Sequence, residues 1–453
     1  MKKTDLVVVG GGPAGYVPAI RAAQMGRSVV VLEGEELGGT CLNHGCIPTK
    51  TLAATAHLLR QSRECTRFGL SGGLEMSWEA VLKRKNLVVT RLRKGIEAHL
   101  EHLGVRVLRS RGVLRGPGIV EAGENTITAD KVLLAPGSVP LVPGFLEVPG
   151  VLTSTDVLNW QSLPASLVIV GGGVIGCEFA SILAAFGVKV TIIEMLPGIL
   201  PGVDRDVSAV VARSLSRAGV KVITGNGSRG VEVNGPEATV HLADGTSVSA
   251  ERILAAIGRR PRTADMGLAE AGVVLDHRGC IRVDQNCLTN LPGVYASGDA
   301  TGMWWLAHAG SAQGLAAVHH AFGAPERPVD PDRMPGCIFT DPEVATVGPG
   351  EDQWRERGVP VKTGTARYIA NGKAVGMNET EGFIKIVSRE DDDTVVGVQI
   401  VGADASSLVS GAVLAVNAGV KAGDWSRYIH PHPTLSELFM EGAESLGIGA
   451  LHG

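Results

Sequence analysis

Two segments of this chain follow one plan. "DLVVVGGGPAGYVPAIRAAQMGRSVVVLE" covers residues 5–33 and "SLVIVGGGVIGCEFASILAAFGVKVTIIE" covers 166–194. Each reads as an apolar strand, a glycine turn, a helix, and a second strand that ends in an acid. The turns are Gly10, Gly12 and Gly15 in the first copy, and Gly171, Gly173 and Gly176 in the second. The step from Gly10 to Glu33 equals that from Gly171 to Glu194, 23 residues. One G-x-G-x-x-G is weak evidence, because glycine-rich turns are common. Two copies with matched spacing to an acid are strong. The glycines let the backbone turn sharply and approach a pyrophosphate, whose charge rests at a helix N-terminus. The terminal acid can accept hydrogen bonds from a ribose. The pattern predicts strands near 5–9 and 28–33 around a helix near 13–25, in which Pro18 is unusual.

Two dinucleotide folds in one chain suggest two cofactors that must meet. FAD and a nicotinamide nucleotide are the natural pair. Glu194 would repel the 2′-phosphate of NADP, and no arginine follows it until Arg205, so the second site should prefer NAD. A chain of 453 residues exceeds one hydrophobic core. A formal charge of −4 gives no footprint for nucleic acid. No apolar run reaches a membrane-spanning length. The seven cysteines are an odd number, and five are scattered (Cys65, Cys177, Cys280, Cys287, Cys337). That argues against a secreted disulfide framework and for a cytoplasmic enzyme.

The remaining two, Cys41 and Cys46, stand in "GGTCLNHGCIPTK" at 38–50. They could ligate a metal, staple a loop or carry electrons. A metal usually needs four ligands, and only His44 lies between them. The segment closely resembles the redox-active stretch of the flavin-dependent pyridine nucleotide-disulfide oxidoreductases, above all the dihydrolipoamide dehydrogenase branch, and the similarity runs over essentially the whole chain. The resemblance implies that Cys46 contacts the flavin in a charge-transfer complex while Cys41 exchanges with substrate sulfur. It places Lys50 near the flavin and pairs it with Glu178. It adds Gly39, Thr40 and Gly112 to the FAD site, with Val174, Ile175 and Glu178 beside NAD. His44 reads either as an exposed loop residue or as a cation that tunes a thiolate.

Near the far end, "YIHPHPTLSELFMEGAE" sets Glu437 five residues after His432. Pro433 biases the residue before it away from helix, so His432 sits on an ordered turn. By spacing alone it is either a satisfied surface histidine or one half of an active-site dyad. The resemblance makes His432 the catalytic base and Glu437 its carboxylate partner, expects a cis His432–Pro433 bond, and supplies the dyad from the other subunit of a homodimer. His430 lacks the Pro-Thr that follows the base in the family.

"VYASGDATGMWWLAHAGSAQG" resembles the second flavin motif, with Asp299 on the ribityl chain and Trp305, Leu306, Ala307 and His308 beside the ring system. "LLAPGS" matches a flavin-side turn with Gly137 and Ser138, and "ILAAIGRRPRT" places Gly258 beside NAD. Pro18, Pro136 and the Trp304-Trp305 pair depart from the family pattern. "ANGKAVGMNETEGFIKIVSREDDDTVVGVQIVG" reads as strands and hairpins of an α+β module.

The expected architecture is therefore α/β. Two Rossmann-like units bind FAD and NAD, and an α+β module mediates dimerisation. The expected divisions are 1–145 and 263–332 for FAD, 146–262 for NAD, and 333–453 for dimerisation. The implied activity is oxidation of protein-bound dihydrolipoamide with reduction of NAD through Cys41 and Cys46. With the first nucleotide motif beginning at residue 5, the lipoyl group is expected on a partner, from a 2-oxoacid dehydrogenase, glycine cleavage or related complex. The rivals are an NAD(P)H-dependent reductase of another disulfide and a non-catalytic nucleotide-binding subunit. No metal is expected.

Overall fold

The computed structural model describes residues 3–235, 237–325 and 328–452. The repeat seen in the sequence is also a repeat in space. In the first unit, parallel strands run in the order Arg106–Leu108, Val29–Leu32, Thr4–Val9, Asn125–Leu134 and Val294–Ala296. In the second the order is Lys221–Ile223, Lys189–Ile193, Ser166–Val170, Arg252–Ala255 and Val151–Leu152, again all parallel. Both sheets therefore place the glycine-turn strand between the acid-bearing strand and a later one. That is the switch point where a doubly wound sheet opens a crevice for ligand. Val7, Val8, Leu167, Val168 and Ile169 are fully buried, as parallel strands covered on both faces require.

The C-terminal part is a five-stranded antiparallel sheet in the order Pro335–Ile338, Glu343–Val347, Val395–Gly402, Phe383–Arg389 and Val361–Arg367. Helices Ala405–Ala418 and Glu437–Glu444 pack on it through Val409, Ala412, Leu438 and Phe439. The strand reading fails at Gly372–Met377, which is a short helix. Asn371 caps it by accepting a hydrogen bond from the Ala374 amide at 3.0 Å. Residues Gly39–His44 also form a short helix rather than a loop, so His44 is half-buried at its C-terminal end.

The helix that follows the two cysteines is tied to the second Rossmann unit by packing and by hydrogen bonds. Helix Cys46–Arg63 packs Leu52, Ala56 and Leu59 into the same core as Phe179, Ala180 and Leu183 of helix Val174–Ala185. Arg63 donates to the Ala185 carbonyl at 2.7 Å, and the buried Lys85 donates to the Leu158 carbonyl at 2.6 Å. Among the described residues, no helix is long and apolar enough to cross a membrane.

Pro18 has a local explanation. Helix Pro13–Gln24 contains it, and proline has no amide to donate to the Ala14 carbonyl. The Ser297 hydroxyl, fully buried, donates to that carbonyl instead at 2.9 Å. Across the same contact Gly314 leaves room for the ring, since a Cβ there would lie 2.6 Å from Pro18 Cγ. Ser297→Ala strands a buried carbonyl and is expected to cost about 1–3 kcal/mol in urea unfolding. In a Pro18→Ala background the helix amide returns, and the same substitution is expected to cost less.

Candidate active site

A cavity of about 840 Å³ gathers most of the residues singled out for FAD and for redox chemistry. Its wall carries Gly10, Gly12, Glu33, Gly39, Thr40, Cys41, Cys46, Lys50, Gly112, Gly137, Ser138, Glu178, Asp299, Trp305, Leu306, Ala307 and His308. His44 and Pro136 line it as well, and Trp304 does not. Val174 and Ile175, from the second unit, reach the same cavity.

The first glycine turn is shaped for close approach. Gly10 has φ +109°, which favours glycine, and a Cβ on Gly15 would sit 1.9 Å from the Gly10 carbonyl oxygen. The second turn repeats this, with Gly171 at φ +112° and a Gly176 Cβ 2.0 Å from the Gly171 oxygen. The two terminal acids behave alike. Glu33 accepts the Gly11 and Glu35 amides, each at 2.7 Å, and Glu194 accepts the Gly172 amide at 2.7 Å and the Leu196 amide at 2.8 Å. Both carboxylates are thus fixed beside their glycine turns with lone pairs to spare. Gly171, Gly173, Gly176, Glu194 and Gly258 stand outside the cavity lining and belong to the second turn and its neighbourhood.

Asp299 is held from two sides. The Ser138 hydroxyl donates to it, and the Arg259 guanidinium lies 3.9 Å away. Burial keeps its carboxyl above the usual range, against the pull of both neighbours. Arg259 also donates to Ser138 Oγ at 2.7 Å and to the Ser138 carbonyl at 2.9 Å. The sequence reading passed over Arg259, although the arginine-rich "GRRPR" beside Gly258 could have suggested it. These features fit a flavin nucleotide: a glycine cradle, a fixed acid at the end of strand two, and a half-buried carboxylate lining the cavity.

All seven cysteines are free thiols in this structure. Cys46 opens helix Cys46–Arg63, and Cys41 lies one short helix before it. The two sulfurs hydrogen-bond to each other. Chiefly through that bond, the Cys46 thiol falls to about 7, against burial and with help from the Lys50 ammonium. The same bond, followed by burial, pushes Cys41 far up. The helix N-terminus and the Lys50 ammonium beside Cys46 favour the negative charge of the pair on the Cys46 side.

Lys50 Nζ donates to both oxygens of Glu178, at 2.9 and 2.8 Å. The Phe339 amide donates to Glu178 at 2.9 Å, and the Phe339 ring sits 4.6 Å from Lys50 Nζ. Phe339 and the half-buried Cys337 beside the pair were not legible as site residues. They arrive from the C-terminal sheet, and nothing local marks them.

The dyad forms as well. His432 Nδ1 and Glu437 Oε1 are 2.8 Å apart, and the Thr434 amide donates to Glu437 Oε2 at 2.8 Å. Against a burial penalty, that amide and the imidazole hold Glu437 below the usual carboxylate range. The His432–Pro433 bond is cis. The dyad, however, lines a different cavity of about 970 Å³, which shares no residue with the first. A single chain does not bring base and sulfurs together.

The arrangement defines a flavin- and nicotinamide-linked disulfide oxidoreductase. A family model described as pyridine nucleotide-disulphide oxidoreductase matches residues 4–321, and one for the dimerisation domain of that family matches 334–443. The chain belongs to this family; it is an oxidoreductase whose cofactors are FAD and NAD. It is 37% identical over 451 residues to the dihydrolipoyl dehydrogenase of Geobacillus stearothermophilus, covering 98% of this chain and 96% of that one. It is 39% identical over 470 residues to the dihydrolipoyl dehydrogenase of Bacillus subtilis (strain 168), covering 99% of each. Among solved structures, LpdA from Mycobacterium tuberculosis superposes with a TM-score of 0.92 at 29% identity, covering 98% of this chain and 100% of that one. The HOCl-induced flavoprotein disulfide reductase RclA from Escherichia coli gives 0.88 at 29%, with 98% and 100% covered.

In the reduced protein the thiolate should be present above about pH 7 and be lost as pH falls through that value. Thiolate absorbance in the ultraviolet reads this directly. Lys50→Met removes the nearby cation, and the midpoint is expected to move up by about one unit.

Proposed function

We propose that this chain oxidises the dithiol of dihydrolipoamide, carried on a partner protein, and delivers the electrons to NAD. The observation that carries the reading is the thiol–thiolate pair Cys41–Cys46 sharing one cavity with the glycine cradle, Lys50 and Glu178. Full-length similarity to dihydrolipoyl dehydrogenases supports the substrate.

The chemistry of the side chains is balanced. A substrate thiolate attacks Cys41 Sγ of the oxidised pair; the Cys41–Cys46 bond breaks and Cys46 leaves as a thiolate. His432 takes the first substrate thiol's proton to form that thiolate; the second thiol then attacks the mixed disulfide, and its proton goes to Cys41, which is released as a thiol. Lipoamide departs, and two electrons remain on the sulfur pair. The low Cys46 thiol makes it the better leaving group, and Lys50 steadies its charge. FAD, when bound, supplies the acceptance of that electron pair and its delivery to NAD as hydride. Gly10, Gly12, Gly15, Glu33, Gly39, Thr40, Gly112, Gly137, Ser138, Asp299 and the run Trp305 to His308 would hold FAD. Gly171, Gly173, Val174, Ile175, Gly176, Glu194 and Gly258 would hold NAD, with Glu194 disfavouring a 2′-phosphate.

His432 reaches the sulfurs of a second copy in this reading. The separate cavities of base and sulfurs favour it, as does the bare apolar side chain of Ile429, three residues before His432 and 99% exposed. We divide the chain into 1–145 with 263–332, 146–262 and 333–453, a reading that the three main sheets support. A cytoplasmic setting suits the five other free cysteines.

Steady-state turnover with dihydrolipoamide and NAD tests the reading. His432→Gln is expected to lower kcat by about 10²–10⁴-fold, and Cys46→Ser to abolish turnover. Mixing inactive Cys41→Ser and His432→Gln chains under subunit exchange should restore part of the activity. No recovery despite mixed dimers would refute the trans arrangement.

A further inference from the structure

The helix that supplies Glu437 carries a second, matching device. Glu441 lies one turn further along Glu437–Glu444 and is 8% exposed. Its Oε1 pairs with His452 Nδ1 at 2.7 Å. Its Oε2 accepts the Leu451 amide at 2.8 Å and the His452 amide at 3.3 Å. The first pair has the same plan: Oε1 to an imidazole Nδ1, Oε2 to a backbone amide. Both imidazoles line the same 970 Å³ cavity. Among the described residues, neither Nε2 has a protein partner. His452 is near enough to Glu437 for its charge to act on that carboxylate.

A carboxylate bound at Nδ1 fixes the tautomer and leaves Nε2 to take a proton. Two such groups held from one helix face and lining one cavity form a donor and an acceptor. We propose that His452, held by Glu441, is the proton acceptor for His432. After His432 takes the thiol proton, that proton passes from His432 Nε2 through cavity water to His452 Nε2. His432 returns to neutral, and His452, hydrogen-bonded to Glu441, passes the proton on to bulk water. His452 is thus a positioning and relay residue that never touches substrate. The other charged groups facing this cavity are Asp206 and Arg213 of helix Arg205–Arg217, Arg367 at the end of strand Val361–Arg367, and Glu381. Asp206 is engaged by Lys385 at 2.9 Å, and Arg217 bonds Glu381. His452 is the imidazole in the cavity besides His432.

The inference rests on the dithiol-oxidase reading. Its test is turnover of the FAD-loaded dimer with dihydrolipoamide and NAD at low and high imidazole concentration. His452→Ala is expected to lose about ten-fold in kcat at low buffer and to recover as imidazole rises, because a free carrier replaces the relay. His452→Gln should do the same. The backbone amides at 451 and 452 still anchor the tail to Glu441, and thermal midpoints check that the fold is retained. A second readout needs no turnover. In protein carrying labelled histidine, NMR titration should show the His432 midpoint moving up when His452 is replaced, since a neighbouring cation is lost. A His452→Ala enzyme as fast as the parent at low buffer, a loss that imidazole does not repair, or an unmoved His432 midpoint overturns the relay alone. A parent enzyme that cannot reduce NAD with dihydrolipoamide overturns the dithiol reading, and the relay with it.

Discussion

One carboxylate holds the three parts of the molecule at the site of chemistry. Glu178 stands on the first helix of the second Rossmann unit, is 4% exposed, and takes Lys50 from the cysteine helix and the Phe339 amide from the C-terminal sheet. A buried ion pair is weak evidence for stability, because desolvation offsets most of the attraction. Its value here is position. Lys50 is one helical turn beyond Cys46, so fixing its ammonium also fixes the cation that favours the Cys46 thiolate. Removing Glu178 would free that cation, loosen the seam between units, and leave the Phe339 amide without its acceptor.

The same logic explains the division of labour between the sulfurs. Two identical thiols in a symmetric setting would share a proton equally. Here Cys46 opens the helix Cys46–Arg63 with Lys50 one turn away, while Cys41 sits in the six-residue helix Gly39–His44 and is pushed up by its contact with Cys46 and by burial. A helix N-terminus and a nearby cation both favour negative charge. The asymmetry sets which sulfur leaves as thiolate and which exchanges with substrate. Proton handling is kept apart, on a C-terminal helix whose carboxylates orient imidazoles instead of sulfurs.

Much of this was legible in the chain. The matched glycine turns announced two sheets with the same strand order, because their chemistry is local: positive φ at Gly10 and Gly171, and carbonyl contacts only glycine permits at Gly15 and Gly176. The cysteine pair and the His432–Glu437 dyad also have partners five residues apart, but spacing left their roles open and the family resemblance supplied them. What escaped was set by distant contacts. Arg259 meets Ser138 across 121 residues, and Phe339 meets Glu178 across 161. Pro18 looked anomalous until Ser297, 283 residues from Ala14, was seen to satisfy the freed carbonyl. His452 and Glu441 are only eleven apart, but no motif spacing links a tail histidine to a helix acid. The strand assignment at Gly372–Met377 failed because the Asn371 cap outweighed the neighbouring strand pattern.

The most direct measurement is a cysteine map of the protein in two redox states. Peptide mass spectrometry of the oxidised protein, alkylated without reductant, should find Cys41 linked to Cys46 and the other five cysteines modified or buried as thiols. One equivalent of dihydrolipoamide, added anaerobically, should open that link and no other change should appear; excess NAD should then close it again. A Cys41–Cys46 link that neither forms on oxidation nor opens with the dithiol would contradict the account.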